Sequence, residues 1–434
     1  MSMIRTAMTI GLMGLLAACN REHPLEGERI DIRAPWGGGE TVENRVLPIN
    51  LPGQSVTGSW TQRQGTTGAR PTNPALSATP ALAWSTAIGA GDSRRARLTT
   101  DPVSAGGVIY TLDARARVQA TSAEGAVLWA TDVTPPRGER GSASGGALTV
   151  GGGHVYVASA FAFVAALDAA TGTEVWRTDF DAPLTGSPAV DGNHVYVTAV
   201  DSTLWSLDAA TGRIEWTLPG TPSPETVARG SAPAIAGDLV VFPTQAGELT
   251  AVRRSNGAAA WTTIAGGRRT GMALASISAL TGDPVVDGNR IYAANQSGRV
   301  FALDARSGET IWSVAEGAYG PVWPVGGSVF LVSDQNHLIR LDARDGSVIW
   351  SHPLPLYTTD RVRRQLAIYP QYGPVLAGGR LWVASGDGLL RGFDPASGEV
   401  VAQAEIPGGA ASAPIVVNRT MYILSREGNL LAYR

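Results

Sequence analysis

The residues that could do chemistry are few. The chain has one cysteine, Cys19, five histidines and no lysine, all 34 of its basic residues being arginine. Without lysine there is no P-loop cation, no Schiff base and no Ser-Lys nucleophile pair. One cysteine makes neither an intrachain disulfide nor a thiolate metal cluster. His23, His154, His194, His337 and His352 are scattered, and no two of them have metal-ligand spacing. No Gly-x-Ser-x-Gly elbow joins a strand to a helix pattern. The expectation is a protein that is not an enzyme and uses no metal and no cofactor. Duplex nucleic acid is excluded as a partner on charge, since 34 basic against 37 acidic residues give a net charge of -3.

Cys19 gains its meaning from position. It ends an apolar run, Met8 to Ala18, that follows Arg5 and is about half the length of a membrane-spanning helix, which reads as a secretory signal over 1–18. Leu16-Ala17-Ala18-Cys19 resembles the bacterial lipobox. That resemblance implies cleavage before Cys19 and acylation of it, so that outer-membrane lipid holds the chain on the periplasmic face. Asn20 in the following position implies sorting to the outer membrane rather than retention at the inner one.

The remaining elements follow from glycine, proline and tryptophan. Gly (53) and Pro (27) are abundant while hydrophobic residues stay at 44%, the balance of a folded, turn-rich, all-β chain. Residues 19–80 hold Pro24, Pro35, Pro48, Pro52, Pro71 and Pro74 and no sustained period, and are expected to form a lipid-anchored tether, part of which docks through Trp36 or Trp60. From 81 to 434 the chain repeats. Ala166-Leu167-Asp168 to Thr171-Gly172 and Trp176 recurs as Asp208 to Trp216, Asp304 to Trp312 and Asp342 to Trp350, with fainter copies ending at Trp129, Trp261 and Ala402. A period near 40–50 residues is that of a four-stranded propeller blade.

Each unit reads as four antiparallel strands, A to D from the inside outward. In one unit they are Ser187 to Val190, then a turn at Asp191-Gly192-Asn193, His194 to Val197, Thr203 to Asp208, and Ile214 to Trp216. Seven units are complete. An eighth, from Ser412 to Arg434, lacks its outer strand, and Ala81 to Thr86 has the pattern to supply it. The expectation is a single eight-bladed β-propeller closed by an N-terminal strand, which removes both sheet edges.

The Ala-x-Asp-x-x-Thr-Gly-x-x-x-Trp pattern resembles the tryptophan-docking motif of the propellers with pyrroloquinoline-quinone (PQQ)-type repeats. Two branches carry it: quinone-dependent dehydrogenases, and the BamB lipoproteins, non-enzymatic scaffolds of the outer-membrane β-barrel assembly (BAM) complex. The lipobox, the tether, eight blades, Arg229-Gly230-Ser231-Ala232-Pro233 and Asp283-Pro284-Val285-Val286-Asp287-Gly288-Asn289 resemble the BamB branch. The dehydrogenases carry a vicinal cysteine pair, which a chain with Cys19 alone lacks. A periplasmic PQQ-dependent oxidoreductase is therefore the alternative reading.

The BamB resemblance implies binding to the periplasmic repeats of a BamA-like barrel protein. Arg229 matches the family's contact arginine, with Gly230 beside it. Thr226, Ala228, Ala279 and Thr281 depart from it, standing where leucines and a pair of aspartates are usual. The connections from a D strand to the next A strand are long, and further arginines on them, Arg268, Arg269, Arg361, Arg363 and Arg364, are expected on the same binding face. Exposed blade edges are a second expected site, for nascent barrel strands.

Overall fold

The turn chemistry of each repeat leaves its strands one course. In the computed structural model, which describes residues 43–135, 145–184, 186–223, 227, 230–267 and 277–434, Asp168 Oδ1 accepts the backbone N–H groups of Ala170 (3.1 Å) and Thr171 (2.8 Å) and the Thr171 hydroxyl (2.9 Å). That clamp closes a tight turn, and Gly172 adopts φ 74° within it. The strands on either side, β8 (Phe163–Asp168) and β9 (Glu174–Asp179), then pair antiparallel from Phe163 opposite Asp179 to Leu167 opposite Glu174. Asp208 and Thr211 repeat the clamp at 2.8 and 2.6 Å.

Thirty-two strands form eight four-stranded antiparallel sheets among the described residues. Blades 1 to 7 are sequential, beginning at Val103, Gly146, Ala189, Ala234, Leu280, Trp323 and Gln371. Blade 8 joins the two ends of the fold: β1 (Leu82–Ala87) lies outermost, hydrogen-bonded to β32 (Asn429–Tyr433), with Ala87 opposite Asn429 and Leu82 opposite Tyr433. Burial alternates only in the outer strands, such as β5 (Val127–Asp132). Inner strands such as β7 (His154–Ser159) bury nearly every residue, because a blade has a neighbour against each face.

Blade-to-blade contact is made by the repeat's tryptophan. The Trp129 indole N–H donates to Ala169 O of the next blade at 3.0 Å, and the Thr131 hydroxyl to Gly172 O at 2.7 Å. Trp176 and Thr178 do the same to Ala209 and Gly212, at 3.0 and 2.7 Å. The ring lies flat against the glycine, so a Cβ built on Gly172 would sit 2.4 Å from Trp129 and one on Gly212 2.5 Å from Trp176. Ala402 breaks the series for a physical reason. Blade 8 is made from the two ends of the fold and has no C–D hairpin, so blade 7 meets no glycine turn for an indole to cover. Instead the Tyr433 hydroxyl of blade 8 donates to Glu405 O at 2.8 Å.

Residues 43–80, the described part of the segment expected as a tether, are threaded through the ring. Arg45 N–H donates to Ile349 O (3.0 Å), and Asn44 exchanges two hydrogen bonds with the Ser351 backbone, along the outer edge of blade 6. The chain crosses the face of the A–B hairpins, where Asn418 N–H donates to Thr57 O (2.8 Å), and enters the channel. Trp60 pairs antiparallel with Ser104, and the A strands of blades 2, 4 and 5 donate from Val150, Ile235 and Val286 to Thr61, Thr67 and Gly68 at 2.7–3.0 Å. Trp60 is fully buried against Trp323, ring centroids 6.3 Å apart.

Gly212→Ala is expected to lower the unfolding free energy by at least about 1–2 kcal/mol, from positive φ alone, with the clash against Trp176 added. Urea unfolding measures it, and an unchanged midpoint would refute the packing account. Acid provides a second test. Hydrogen bonds hold Asp168 and Asp208 below their ordinary 3.8, the Thr171 and Thr211 hydroxyls contributing most. Asp304 is lowered chiefly by the Ser307 N–H, and Asp342 by Arg344. Carboxylates depressed in the folded state stabilise it fully above 3.8 and stop doing so as pH falls through the depressed values. The urea midpoint should therefore fall in acid below about pH 4, with a shallower slope in a fourfold Asp→Asn variant. Equal slopes would count against the clamps.

Candidate functional site

One face of the ring gathers the D–A and B–C connections, and at its centre lies a cavity of about 480 Å³. Six D–A connections reach it, through Asp101, Val227, Ile277, Tyr319 to Pro321, Ile368 with Pro370, and Ala413. Gln296 and Asn336 come from B–C turns, while Arg63 and Arg70 rise from the threaded segment.

Arg63 is the polar centre of this face. Its guanidinium is buried and lies 3.1 Å from Asp283 Oδ1 and 3.4 Å from Asp101 Oδ2, both carboxylates also buried. Each aspartate then accepts a backbone N–H at the start of a neighbouring inner strand: Asp283 Oδ1 that of Ala232 (2.9 Å), and Asp101 Oδ1 that of Ala413 (2.8 Å). One arginine thereby joins blades 1, 4, 5 and 8 across the channel. Arg70 sits beside it and donates to the Pro321 (2.8 Å), Val322 (3.2 Å) and Gln64 (3.4 Å) carbonyls, its guanidinium 4.7 Å from the Trp323 ring centre. Burial draws the Arg70 pKa down to about 9; Asp283 and Asp101 oppose that shift and Arg63 adds to it. Arg70 remains charged at neutral pH.

The expected site residues fall into three groups. Cys19, Arg229, Arg268 and Arg269 lie outside the described residues, as do Thr226 and Ala228. Gly230 is buried, and the chain directly after it is pinned: the Ser231 hydroxyl donates to Leu280 O (2.8 Å) and Ala232 N–H to Asp283. The chain at Ser231 and Ala232 is thus fastened, through Asp283, to Arg63. Ala279 and Thr281 are buried too, the Thr281 hydroxyl donating to Ala318 O (2.7 Å), so position 281 serves packing here.

Arg361, Arg363 and Arg364 cap an exposed arm between blades 6 and 7. Its stem is a short hairpin in which Tyr357 pairs with Ile368 and Tyr369 N–H donates to Leu356 O (2.8 Å). Asn336 fixes the base through Pro355 O and Tyr369 O, at 3.1 and 2.9 Å. The tip is a 3-10 turn, Val362–Arg364, and beside the arginines it exposes Val362 and Leu366, the latter 93% accessible. Neighbouring arginines and bare aliphatic side chains suit a partner surface that is both acidic and apolar.

No group of three or more His, Cys, Asp or Glu side chains among the described residues could hold a metal. The described histidines serve structure: His194 Nδ1 lies 3.0 Å from Asp191, and His352 Nε2 3.0 Å from Ser397 O while packing on Trp350. Sequence inspection overlooked Arg63, Arg70, Asp101 and Asp283. The available signal was that Asp101-Pro102 and Asp283-Pro284 stand at matching points of the innermost segments, where the other six blades have the uncharged residues Ala147, Ser187, Ala232, Pro321, Gly373 and Ala413.

Arg63→Ala would remove the cation with which both buried carboxylates pair. The expected loss is about 3–5 kcal/mol, partly restored when Asp283 is changed to Asn in the same chain. Urea unfolding of the single and double variants measures this, and a loss below about 1 kcal/mol would reduce Arg63 to a surface-like pair.

Comparison with known proteins places the chain. The family model described as outer membrane protein assembly factor BamB matches residues 114–352. The protein of that name from Escherichia coli strain K12 is 32% identical over 359 residues, covering 81% of this chain and 88% of its own. Among solved structures, BamB from Moraxella catarrhalis superposes with a TM-score of 0.67 at 17% identity, over 82% of this chain and all of that one. A quinohemoprotein alcohol dehydrogenase from Pseudomonas putida HK5 reaches 0.65 at 15% identity, over 87% of this chain and 80% of its own, a likeness of fold. With the family model spanning more than half of its length, the chain belongs to the outer membrane protein assembly factor BamB family.

Proposed function

We propose that the chain is a non-enzymatic scaffold of the outer-membrane β-barrel assembly machinery, lipid-anchored through Cys19 on the periplasmic face and binding the periplasmic repeats of a BamA-like barrel protein. The observation that carries this reading is the combination of family membership with a face whose connections are elaborated in one direction only. The A–B hairpins are tight, such as Asp191-Gly192-Asn193, whereas the D–A connections reach 17 residues between Pro353 and Gln371.

Two parts of that face are assigned to the partner. The first is Arg229 with Gly230, directly followed by Ser231 and Ala232, which Leu280 and Asp283 hold in place. A guanidinium there can donate two parallel hydrogen bonds to a carboxylate or a carbonyl pair. The second is the arm with Arg361, Arg363 and Arg364, and Arg268 and Arg269 belong to the same proposed surface. Nascent barrel strands have a separate place in the scheme. Outer strands expose Val127, Leu128, Ile264, Val400 and Val401 along blade edges, where an extended chain could add by main-chain pairing.

Affinity purification of the tagged, lipidated protein from solubilised membranes tests the main claim. A large barrel protein with periplasmic repeats should co-elute with the wild type and be depleted at least about tenfold, the equivalent of 1.4 kcal/mol, with Arg229→Glu. Unchanged recovery with a folded Arg229→Glu protein removes that residue from the interface. Absence of any such partner from the wild type defeats the scaffold reading.

A further inference from the structure

The central cavity has a feature that the scaffold reading does not use. Arg70 is a cation whose hydrogen-bond acceptors are all neutral carbonyls, those of Gln64, Pro321 and Val322. The aspartates nearest it, Asp283 and Asp101, form their ion pairs with Arg63 and act on Arg70 through space. A guanidinium has five N–H donors, and these three bonds leave two uncommitted on a side chain that lines the cavity.

A second polar group points to the rest of the ligand. Gln371, which also lines the cavity, donates through Nε2 to Pro355 O at 2.9 Å, while its Oε1 is buried without a hydrogen-bond donor. An unsatisfied buried acceptor costs about 1–3 kcal/mol, and a rotation of the carboxamide that turns this oxygen into the cavity would let an N–H of a bound molecule remove that cost. The lining also includes the apolar or aromatic Tyr319, Tyr372, Ile277, Val332 and Ile368, and the polar Asp101, Thr281, Gln296 and Asn336. At about 480 Å³ the space falls within the size range of small-ligand sites, about 300–1,000 Å³.

We propose that this cavity binds an apolar N-acyl carboxylate: the carboxylate on Arg70, the amide N–H on the Gln371 side-chain oxygen, and an aromatic or branched side chain between the tyrosines. A free N-acylated amino acid and the C-terminal residue of a polypeptide both present that chemistry. The assignment is independent of the barrel partner, because every group it uses belongs to the channel mouth of this chain. The charges around the cavity balance, Arg63 and Arg70 against Asp101 and Asp283, so the preference for an anion is local to Arg70: its direct acceptors are neutral carbonyls, and a carboxylate there forms charge-assisted hydrogen bonds that a neutral ligand does not.

Calorimetric titration of the full chain in nanodiscs of neutral lipid supplies the test, with four probes: N-acetyl-phenylalanine, its primary amide, and a ten-residue peptide ending in phenylalanine with a free or an amidated terminus. Both acids should bind saturably, each at least about tenfold more tightly than its amide, a difference of 1.4 kcal/mol or more. Tighter binding of the peptide acid identifies a chain terminus as the source, and tighter binding of the short acid a free metabolite. Arg70→Gln should abolish the preference for the acid. Because that change also removes bonds holding the threaded segment, Ile277→Trp provides an independent variant that fills the cavity without touching Arg70, and it should abolish binding with an unchanged melting temperature. Equal affinity for acid and amide overturns the proposal. So does saturable binding that survives Ile277→Trp in a folded protein, or no saturable binding by any probe.

Discussion

A ring of sheets is only as sound as the contact each blade makes with the next, and here that contact is an indole lying flat on a glycine. The arrangement combines three demands at one point. Glycine supplies the positive φ of the turn, its missing Cβ lets the ring approach, and its carbonyl or that of a nearby residue receives the Trp N–H and Thr hydroxyl donors. The aspartate clamp matters because it holds that turn in shape. Neither glycine nor tryptophan can change alone: a larger turn residue strikes the ring, and a smaller ring leaves a void where a core tryptophan stood, at a cost of about 3–5 kcal/mol.

The threaded segment solves a different problem. Eight blades arranged in a circle leave a channel at the axis, and inner strands lining an empty channel would lose packing on one side. Trp60 fills part of that space, while backbone groups from Thr57 to Pro74 accept hydrogen bonds from blades all round the circle. Arg63 completes the work on the far side. Its two aspartates hold backbone at Ala232 and Ala413, so the geometry of the long-loop face depends on a side chain that enters from the opposite one.

How much could be read beforehand divides along the same line. The blades were legible because the Asp, Gly and Trp of each repeat act locally, within one turn and its neighbour, and their spacing survives in the sequence. The missing eighth outer strand was legible for the same reason: Trp84 keeps the repeat's pattern even though it lies at the other end of the fold, and the structure pairs β1 with β32. The threaded segment was not legible beyond a hint in Trp60. Its hydrogen bonds are single main-chain contacts with seven different blades, which impose no period on its sequence. Arg63 and Arg70 looked like any other arginines in an arginine-only chain, since their burial is a property of the assembled ring. The arm at Arg361 to Arg364 could be located by its length, but its hairpin stem rests on Asn336, from a turn in another part of the sequence.

Closure by β1 and β32 also sets an order of events. The strand made first must wait for the strand made last, and the segment just ahead of it belongs inside a channel that does not exist until the blades have assembled. A chain emerging across a membrane therefore has no finished ring to stop at along the way. Long-range pairing of this kind is slow to form, and in return it makes synthesis through Tyr433 a condition for hiding the edge of β1. The seam at blade 8 acts in effect as a proofreading joint: a product truncated before Asn429 keeps an unpaired strand at Leu82–Ala87 and an open channel, and so differs visibly from the finished protein.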